Sequence, residues 1–160
     1  MQDRLVHNDR DRKYHDVIAV EYEKLVNQPR SYMNSLLFEP LFNERFRRVG
    51  KVLDLGCGTG QMVFRLHERF QPESITAVDH SAGMLKSLEN EAKQNGITVN
   101  TVHGELIDFI NHAVDHYDLI TCVGVLHHLK KEDVVTLLTR ARELLAADGR
   151  LLVAEPIDNT

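Results

Sequence analysis

The sequence predicts an α/β fold, a doubly wound and mainly parallel sheet with helices on both faces. Three observations predict it. From Lys51 onward, short apolar runs alternate with helical patterns, the mark of strand–helix–strand units around a parallel sheet. The stretch VLDLGCGTG, Val52 to Gly60, runs an apolar strand into Asp54 and then into three alternating glycines, with a helical pattern straight after. Each later strand ends on glycines, carboxylates or small polar residues, where such sheets place ligands.

The N-terminal elements come first. Residues 1–12 are expected to be frayed. Apolar positions then recur with helical spacing at Tyr14, Val17, Ile18, Tyr22, Leu25 and Val26. Asn27-Gln28-Pro29 ends that helix, because proline disfavours helical backbone in the residue before it. Ser31 is placed to cap a short helix that buries Leu36, Leu37 and Phe38, and Pro40 marks the break before Leu41, Phe42 and Phe46.

From Lys51 the elements alternate. KVLDL is a strand, and Gly60 to Phe70 a helix with Met62, Val63, Leu66 and Phe70 on one face. SITAVD, Ser74 to Asp79, is a strand. Ser81 then caps a helix carrying Met84, Leu85, Leu88 and Ala92, which Asn95-Gly96 ends. ITVNTV, Ile97 to Val102, is a strand, and Glu105 to Asn111 a short helix. YDLITCV, Tyr117 to Val123, is a strand. Asp133 opens a helix with Val134, Leu137, Leu138, Ala141, Leu144 and Leu145 inward, stopped at Asp148-Gly149. RLLVAE, Arg150 to Glu155, is the last strand.

Length and composition bound the rest. The 160 residues suffice for one domain with a core. With 24 acidic and 19 basic residues the net charge is −5, which argues against a phosphate-neutralising surface for nucleic acid. Two cysteines, Cys57 and Cys122, cannot make a disulfide framework. No run reaches membrane-spanning length, and the charged N-terminus has no signal-peptide core, so a cytoplasmic protein is expected. The nine histidines show no metal-ligand spacing, and no metal is expected.

The strand ends converge on one kind of ligand. Glycines at 56, 58 and 60 let the backbone approach it closely. Asp79, about 20 residues on, can accept two hydrogen bonds from a ribose diol. Gly104-Glu105 offers a carboxylate to an exocyclic amine such as that of adenine. The fourth strand ends at Cys122-Val123-Gly124, followed by Val125-Leu126-His127-His128.

These four stretches in order resemble the class I S-adenosylmethionine-dependent methyltransferases. VLDLGCGTG looks like that family's first motif, AVDHSAGML (Ala77 to Leu85) its second, HGELIDF (His103 to Phe109) its third, and YDLITCVGVLHHL (Tyr117 to Leu129) its fourth. Glu105 stands where the family more often has Asp. YHDVIAVEYEKL, Tyr14 to Leu25, resembles the helix that lids the cofactor in small-molecule members. The resemblance implies a Rossmann-like fold with residues 1–48 as an N-terminal helical lid and residues 49–160 as the cofactor-binding core. It implies S-adenosylmethionine as cofactor, leaving S-adenosylhomocysteine, and a small-molecule acceptor. Gly56, Cys57, Gly58 and Gly60 would line the methionyl part, and Asp54 would orient the turn or meet the ammonium. Asp79 would hold the ribose, His80 and Met84 would flank the adenine, and Gly104, Glu105 and Leu106 would meet its edge. Cys122 and Val123 would pass the methionyl group, and Tyr22 with Tyr14 would close over the cofactor.

The catalytic base is not legible in this pattern. His127 and His128 are the candidates, because imidazole titrates near neutrality. Glu155 and Asp158, after the last strand, face a substrate or a cation on one reading and are solvated turn residues on the favoured one. Neither an Asn-Pro-Pro-Tyr or Asp-Pro-Pro-Tyr stretch nor a Pro-Cys dipeptide is present, which with the acidic balance favours a small acceptor over DNA or RNA. A nicotinamide-dependent oxidoreductase shares the glycine turn and the acidic residue but not the later motifs. The family's sheet has seven strands, and the last two are expected to be missing here, in a piece of a longer protein or a minimal domain. The strand Arg150 to Glu155 is then an apolar edge, expected to pair in a homodimer. A cofactor-binding module without complete catalysis is the alternative.

Overall fold

A computed structural model describes residues 12–19 and 48–155. The expected helices between Tyr22 and Phe46, the lid residue Tyr22 and Asp158 lie outside the described residues. Residues 12–18 form helix α1. Thereafter the order is β1 (Lys51–Leu55), α2 (Gln61–Phe70), β2 (Ser74–Asp79), α3 (Ala82–Gln94), β3 (Asn100–His103), α4 (Leu106–His112), β4 (Tyr117–Val123), a single 3₁₀ turn (Leu126–His128), α5 (Lys131–Glu143) and β5 (Leu145–Ala154).

The five strands make one sheet in the order β3-β2-β1-β4-β5, with every pairing parallel. Strand order reverses between β1 and β4, so their carboxyl ends open the crevice in which such sheets bind ligands. Alternation along the strands feeds two cores. Val52, Ile75, Ala77 and Leu119 face Met62, Val63 and Leu66 of α2 and Leu85 and Leu88 of α3. Leu53, Leu55, Val78, Ile120 and Cys122 face Ile107 and Ile110 of α4 and Leu137 and Ala141 of α5. Both faces are covered, as an all-parallel sheet requires. Each fully buried Leu, Ile or Val contributes about 1.5–3 kcal/mol. At the other end of the strands, Asp118 Oδ2 accepts the Gly50 and Lys51 N–H groups at 2.8 Å each and pins the start of β1 to β4. Arg140 of α5 donates to the carbonyls of Ile110 and Ala113, joining α5 to α4.

Boundaries in β3, α5 and β5 differ from the sequence reading. β3 begins at Asn100 instead of Ile97. Helix α5 starts at Lys131 and ends at Glu143, with Leu144 as its C-cap, before Asp148-Gly149 is reached. The chain pairs at once, Leu145 against Tyr117, then bulges and re-enters register with Arg150 opposite Leu119. Asp148-Gly149 therefore marks a bulge inside β5 instead of a helix stop. A Cβ on Gly149 would lie 2.7 Å from the Tyr117 carbonyl oxygen, so this turn needs glycine for close approach. Of the expected apolar stripe, Tyr22, Leu25 and Val26 lie outside the described residues and Ile18 is half-buried. Tyr14 and Val17 are exposed, and Ala19 just beyond the helix is buried.

The turn from β1 to α2 shows why glycine alternates there. Gly60 is the N-cap of α2 with φ +91°, and a Cβ would lie 2.3 Å from Leu88 Cδ1 and 3.1 Å from Phe64 Cε2. Leu88 is fully buried and has no room to retreat. Gly60→Ala is expected to destabilise the protein by about 2–4 kcal/mol through overpacking and left-handed backbone strain together. Urea denaturation of the two proteins measures it.

Candidate active site

Asp54 lies on β1 opposite Thr121 of β4, the pair of strands that flanks the crevice. That register brings the Thr121 hydroxyl to Asp54 Oδ1, to which it donates at 2.6 Å. Both side chains are buried, and Asp54 Oδ2 is a buried atom with no hydrogen-bond partner among the described residues. Burial pushes the Asp54 carboxyl up to about 7 against the lowering effect of the Thr121 hydroxyl, and the neighbouring Asp79 carboxylate adds to the rise. A buried acceptor that lacks a donor awaits a cationic or N–H partner.

The glycine turn bends from β1 toward β2. Gly56 and Cys57 donate to the Val78 carbonyl at 2.8 and 3.0 Å, and Gly60 N–H closes the turn on the Cys57 carbonyl at 2.9 Å. Gly58 stands at the apex with φ +52°, and a Cβ there would meet nothing within 4 Å. The same holds at Gly104, after β3, and at Gly124, after β4. Three glycines at three strand ends thus have no described residue where a side chain would stand. Thr59, between Gly58 and Gly60, is buried, and its Oγ1 has no partner among the described residues.

Asp79 ends β2 and ties the turn to the next helix. Its Oδ2 accepts the Gly58 N–H and its Oδ1 the Ser81 N–H, both at 2.8 Å. Each oxygen keeps a second lone pair for a diol. Ser81 caps α3 by accepting the Met84 N–H at 3.1 Å and donates its own hydroxyl to Asp16 Oδ1 at 2.6 Å. Asp16 also accepts the Gly83 N–H at 2.9 Å. The Ser81 hydroxyl, despite partial burial and with further help from Gly83, Arg12 and His103, holds the Asp16 carboxyl below its ordinary value. Helix α1 is therefore docked over the β2 end by Asp16, while Tyr14 lies exposed, its ring centre 5.5 Å from that of His15.

The other sequence-predicted residues distribute as follows. Met84 and Cys122 are buried in the core, while His80, Gly104, Glu105, Leu106 and Val123 are half-buried around the strand ends. Glu105 is the N-cap of α4 but makes no side-chain cap bond. Burial, reinforced by the Asp54 carboxylate, pushes the Cys57 thiol well above its ordinary value and the Cys122 thiol up to about 12, so both stay protonated and unreactive near neutrality.

Glu155 is not a solvated turn residue. It is partly buried, its Oε1 accepts the Val125 and Leu126 N–H groups at 2.8 and 2.7 Å, and its Oε2 lies 2.7 Å from His127 Nδ1. Although burial alone would raise its pKa, those bonds from His127, Leu126 and Val125 hold the carboxyl below its ordinary value. The His127 and His128 rings are 4.0 Å apart, His128 is 5.6 Å from His15 of α1, and His15 is 6.0 Å from His80 at the β2 end. Among the described residues no group of three His, Cys, Asp or Glu side chains is arranged to hold a metal, and no helix is long and apolar enough to cross a membrane.

Asp54 has a consequence for stability. Folded, it titrates near 7 against an ordinary value of 3.8, so between those values the folded state holds more protons than the unfolded chain. Stability of the ligand-free protein is expected to fall as pH rises from about 4 to 7, and Asp54→Asn is expected to remove that slope. Thermal midpoints measured across that range check both.

The family profile described as a methyltransferase domain matches residues 52–149. Among curated proteins the chain is 32% identical over 103 residues to an (S)-coclaurine N-methyltransferase of Thalictrum flavum subsp. glaucum, covering 64% of this chain and 27% of that one. It is 30% identical over 107 residues to a carboxy-S-adenosyl-L-methionine synthase of Helicobacter pylori (strain HPAG1), covering 66% and 43%. The chain thus spans less than half the length of these two relatives. Among solved structures, the DhpI-SAM-HEP complex superposes with a TM-score of 0.75 at 22% identity over 92% of this chain and 64% of that one, a likeness of fold. The cradle fits S-adenosylmethionine, the methyl donor of the class I enzymes, on its own features: an unpartnered buried carboxylate oxygen for an ammonium, a paired-oxygen acceptor for a diol, and open glycine edges for close approach. With the profile spanning well over half of the sequence, the chain belongs to the methyltransferase domain family.

Proposed function

We propose that this chain binds S-adenosylmethionine and transfers its methyl group to a small-molecule acceptor. The observation that carries the reading is the buried Oδ2 of Asp54, which has no hydrogen-bond partner among the described residues, on the strand that leads into the glycine turn. The bound cofactor supplies an electrophilic methyl on its sulfonium. The chain's residues do the rest. Asp54 receives the ammonium, which relieves the cost of a buried carboxylate, and Thr121 fixes the direction of its other oxygen. Asp79 holds the ribose while keeping the glycine turn in place through Gly58. His80, Glu105 and Leu106 border the adenine. Helix α1, latched by Asp16, covers the β2 end and excludes water from it. Alignment of acceptor and methyl carbon is the main task of such a site.

The names of the two curated relatives, one an N-methyltransferase acting on coclaurine and one a synthase of a modified S-adenosylmethionine, support a small acceptor. The net charge of −5 supports it too, since a nucleic-acid acceptor calls for a basic surface.

Calorimetric titration with S-adenosylhomocysteine tests the reading, with NADH as the control. Saturable binding of the former alone is expected, and binding of NADH alone would overturn it. Asp79→Ala is expected to weaken that binding by about 1–3 kcal/mol. Gly58→Ala is expected to cost only about 1–2 kcal/mol of stability, from left-handed strain, because its Cβ enters open space. The same methyl group intrudes on the cradle, and the expected loss of S-adenosylhomocysteine affinity is tenfold or more.

A further inference from the structure

We infer that Glu155 and His127 form a positioned base: Glu155 holds the His127 imidazole in the tautomer whose Nε2 accepts a proton from the methyl acceptor. The inference rests on the methyl-transfer reading and narrows it to acceptors that carry a proton on the attacking atom, hydroxyl or ammonium groups, as against carboxylates.

The geometry supports each part. Glu155 follows β5 and the turn carrying His127 follows β4, and these strands are neighbours, so both groups stand at the carboxyl end of the sheet. The adenosine-binding groups, Asp79 and Glu105, stand on the opposite side, at the ends of β2 and β3. His127 is thus on the acceptor side of the crevice. Its ring begins a row of imidazoles, His127, His128, His15 and His80, that crosses the carboxyl end from β4 to β2.

Glu155 is held in a way that a surface carboxylate is not. Two backbone N–H groups occupy its Oε1, which fixes the carboxylate plane and leaves Oε2 for the imidazole at 2.7 Å. An ionised carboxylate only accepts, so Nδ1 must carry the proton of the neutral ring. Nε2 is then the lone-pair nitrogen, and it has no protein partner among the described residues. The His127 side chain is 47% exposed, which leaves that nitrogen room to meet an acceptor. This is the carboxylate–histidine relationship by which a second residue sets tautomer and orientation without touching substrate. Glu155 is a positioning residue, and His127 is the catalytic one.

In the step, a lone pair on the acceptor's nucleophilic atom (on an ammonium group, the pair freed when its proton passes to Nε2 before attack) forms the bond to the methyl carbon as the carbon–sulfur bond breaks, and the carbon–sulfur electron pair stays on sulfur. The acceptor's proton passes to Nε2, leaving an imidazolium beside the Glu155 carboxylate, and is later lost to water. A carboxylate acceptor has no proton to give and gains nothing from the pair.

Glu155→Gln separates this role from a structural one. The amide oxygen can still accept from Val125 and Leu126, so the turn is kept. The amide N–H₂ faces Nδ1, which must become the acceptor, and the ring proton moves to Nε2. Proton–nitrogen correlation spectra of isotope-labelled histidine at about pH 8, where imidazole is neutral, read the tautomer directly. His127→Ala assigns the signal. The expected result is an Nδ1–H ring in the unaltered chain and an Nε2–H ring in Glu155→Gln. An Nε2–H ring in the unaltered chain, or an unchanged ring in the variant, would overturn the inference. Turnover is then followed with methyl-labelled S-adenosylmethionine and a panel of phenols, amines and carboxylates. Loss of about 100-fold or more in kcat is expected for both variants on phenols or amines, with KM for the cofactor unchanged. Turnover confined to carboxylates, or equal to the unaltered chain in Glu155→Gln, would also overturn it. S-adenosylhomocysteine titration of the unaltered chain stands apart: failure there removes the methyl-transfer reading, while the tautomer still decides whether Glu155 positions His127.

Discussion

The hydrogen bond from Thr121 to Asp54 is the interaction on which the site depends. It joins β1 to β4 at the point where strand order reverses, and it satisfies only one of the two oxygens of a buried carboxylate. A core built for stability alone would place an apolar residue there. The cost of the buried acid is offset by packing on both faces of the sheet, where side chains from β1, β2 and β4 are fully buried. From that acid the rest of the site is laid out by register: Gly58 reaches Asp79, Asp79 reaches Ser81, and Ser81 reaches Asp16 on α1. Each link satisfies a polar group that the sheet's end would otherwise leave exposed or unpaired.

The strand-and-helix order was legible because its signals are local. Period and turn chemistry identify KVLDL, SITAVD and YDLITCV without reference to anything distant. The glycine turn was legible for the same reason. What was not legible depended on partners far away in sequence. Thr121 reads as one small polar residue in an apolar strand, and only the β1–β4 register reveals it as the partner of Asp54. Glu155 reads as a turn residue because its three hydrogen bonds run to residues 28 to 30 positions earlier. The polar residue inside a buried strand was the one signal that pointed to Thr121. For Glu155 the one local signal is its place just after the last strand, which does not tell a site residue from a solvated one.

The boundary of α5 shows the same limit from the other side. Asp-Gly is a strong turn signal, and it falls at the bulge in β5, but tertiary pairing of Leu145 with Tyr117 ends the helix first. Of the stripe on α1, Tyr14 and Val17 stay exposed for a related reason. Its apolar residues follow helical spacing, but the helix meets the body through the Asp16 carboxylate, which accepts from a serine hydroxyl and a helix N-terminus, and through the His15 ring against His80 and His128.

The parallel sheet has a consequence for how the cradle comes into being. Asp54 and Thr121 are 67 residues apart, and Val125, whose methyl group lies where a Gly56 Cβ would be, is farther still. Closing loops of that length is slow, and non-local pairings of this kind dominate folding times. A growing chain that has emerged only through β2 already carries all three alternating glycines but not the strand that holds them in shape. Ligand competence is therefore acquired when β4 inserts beside β1, late in folding, and a ligand that binds only the finished cradle acts on the folding equilibrium at its final step.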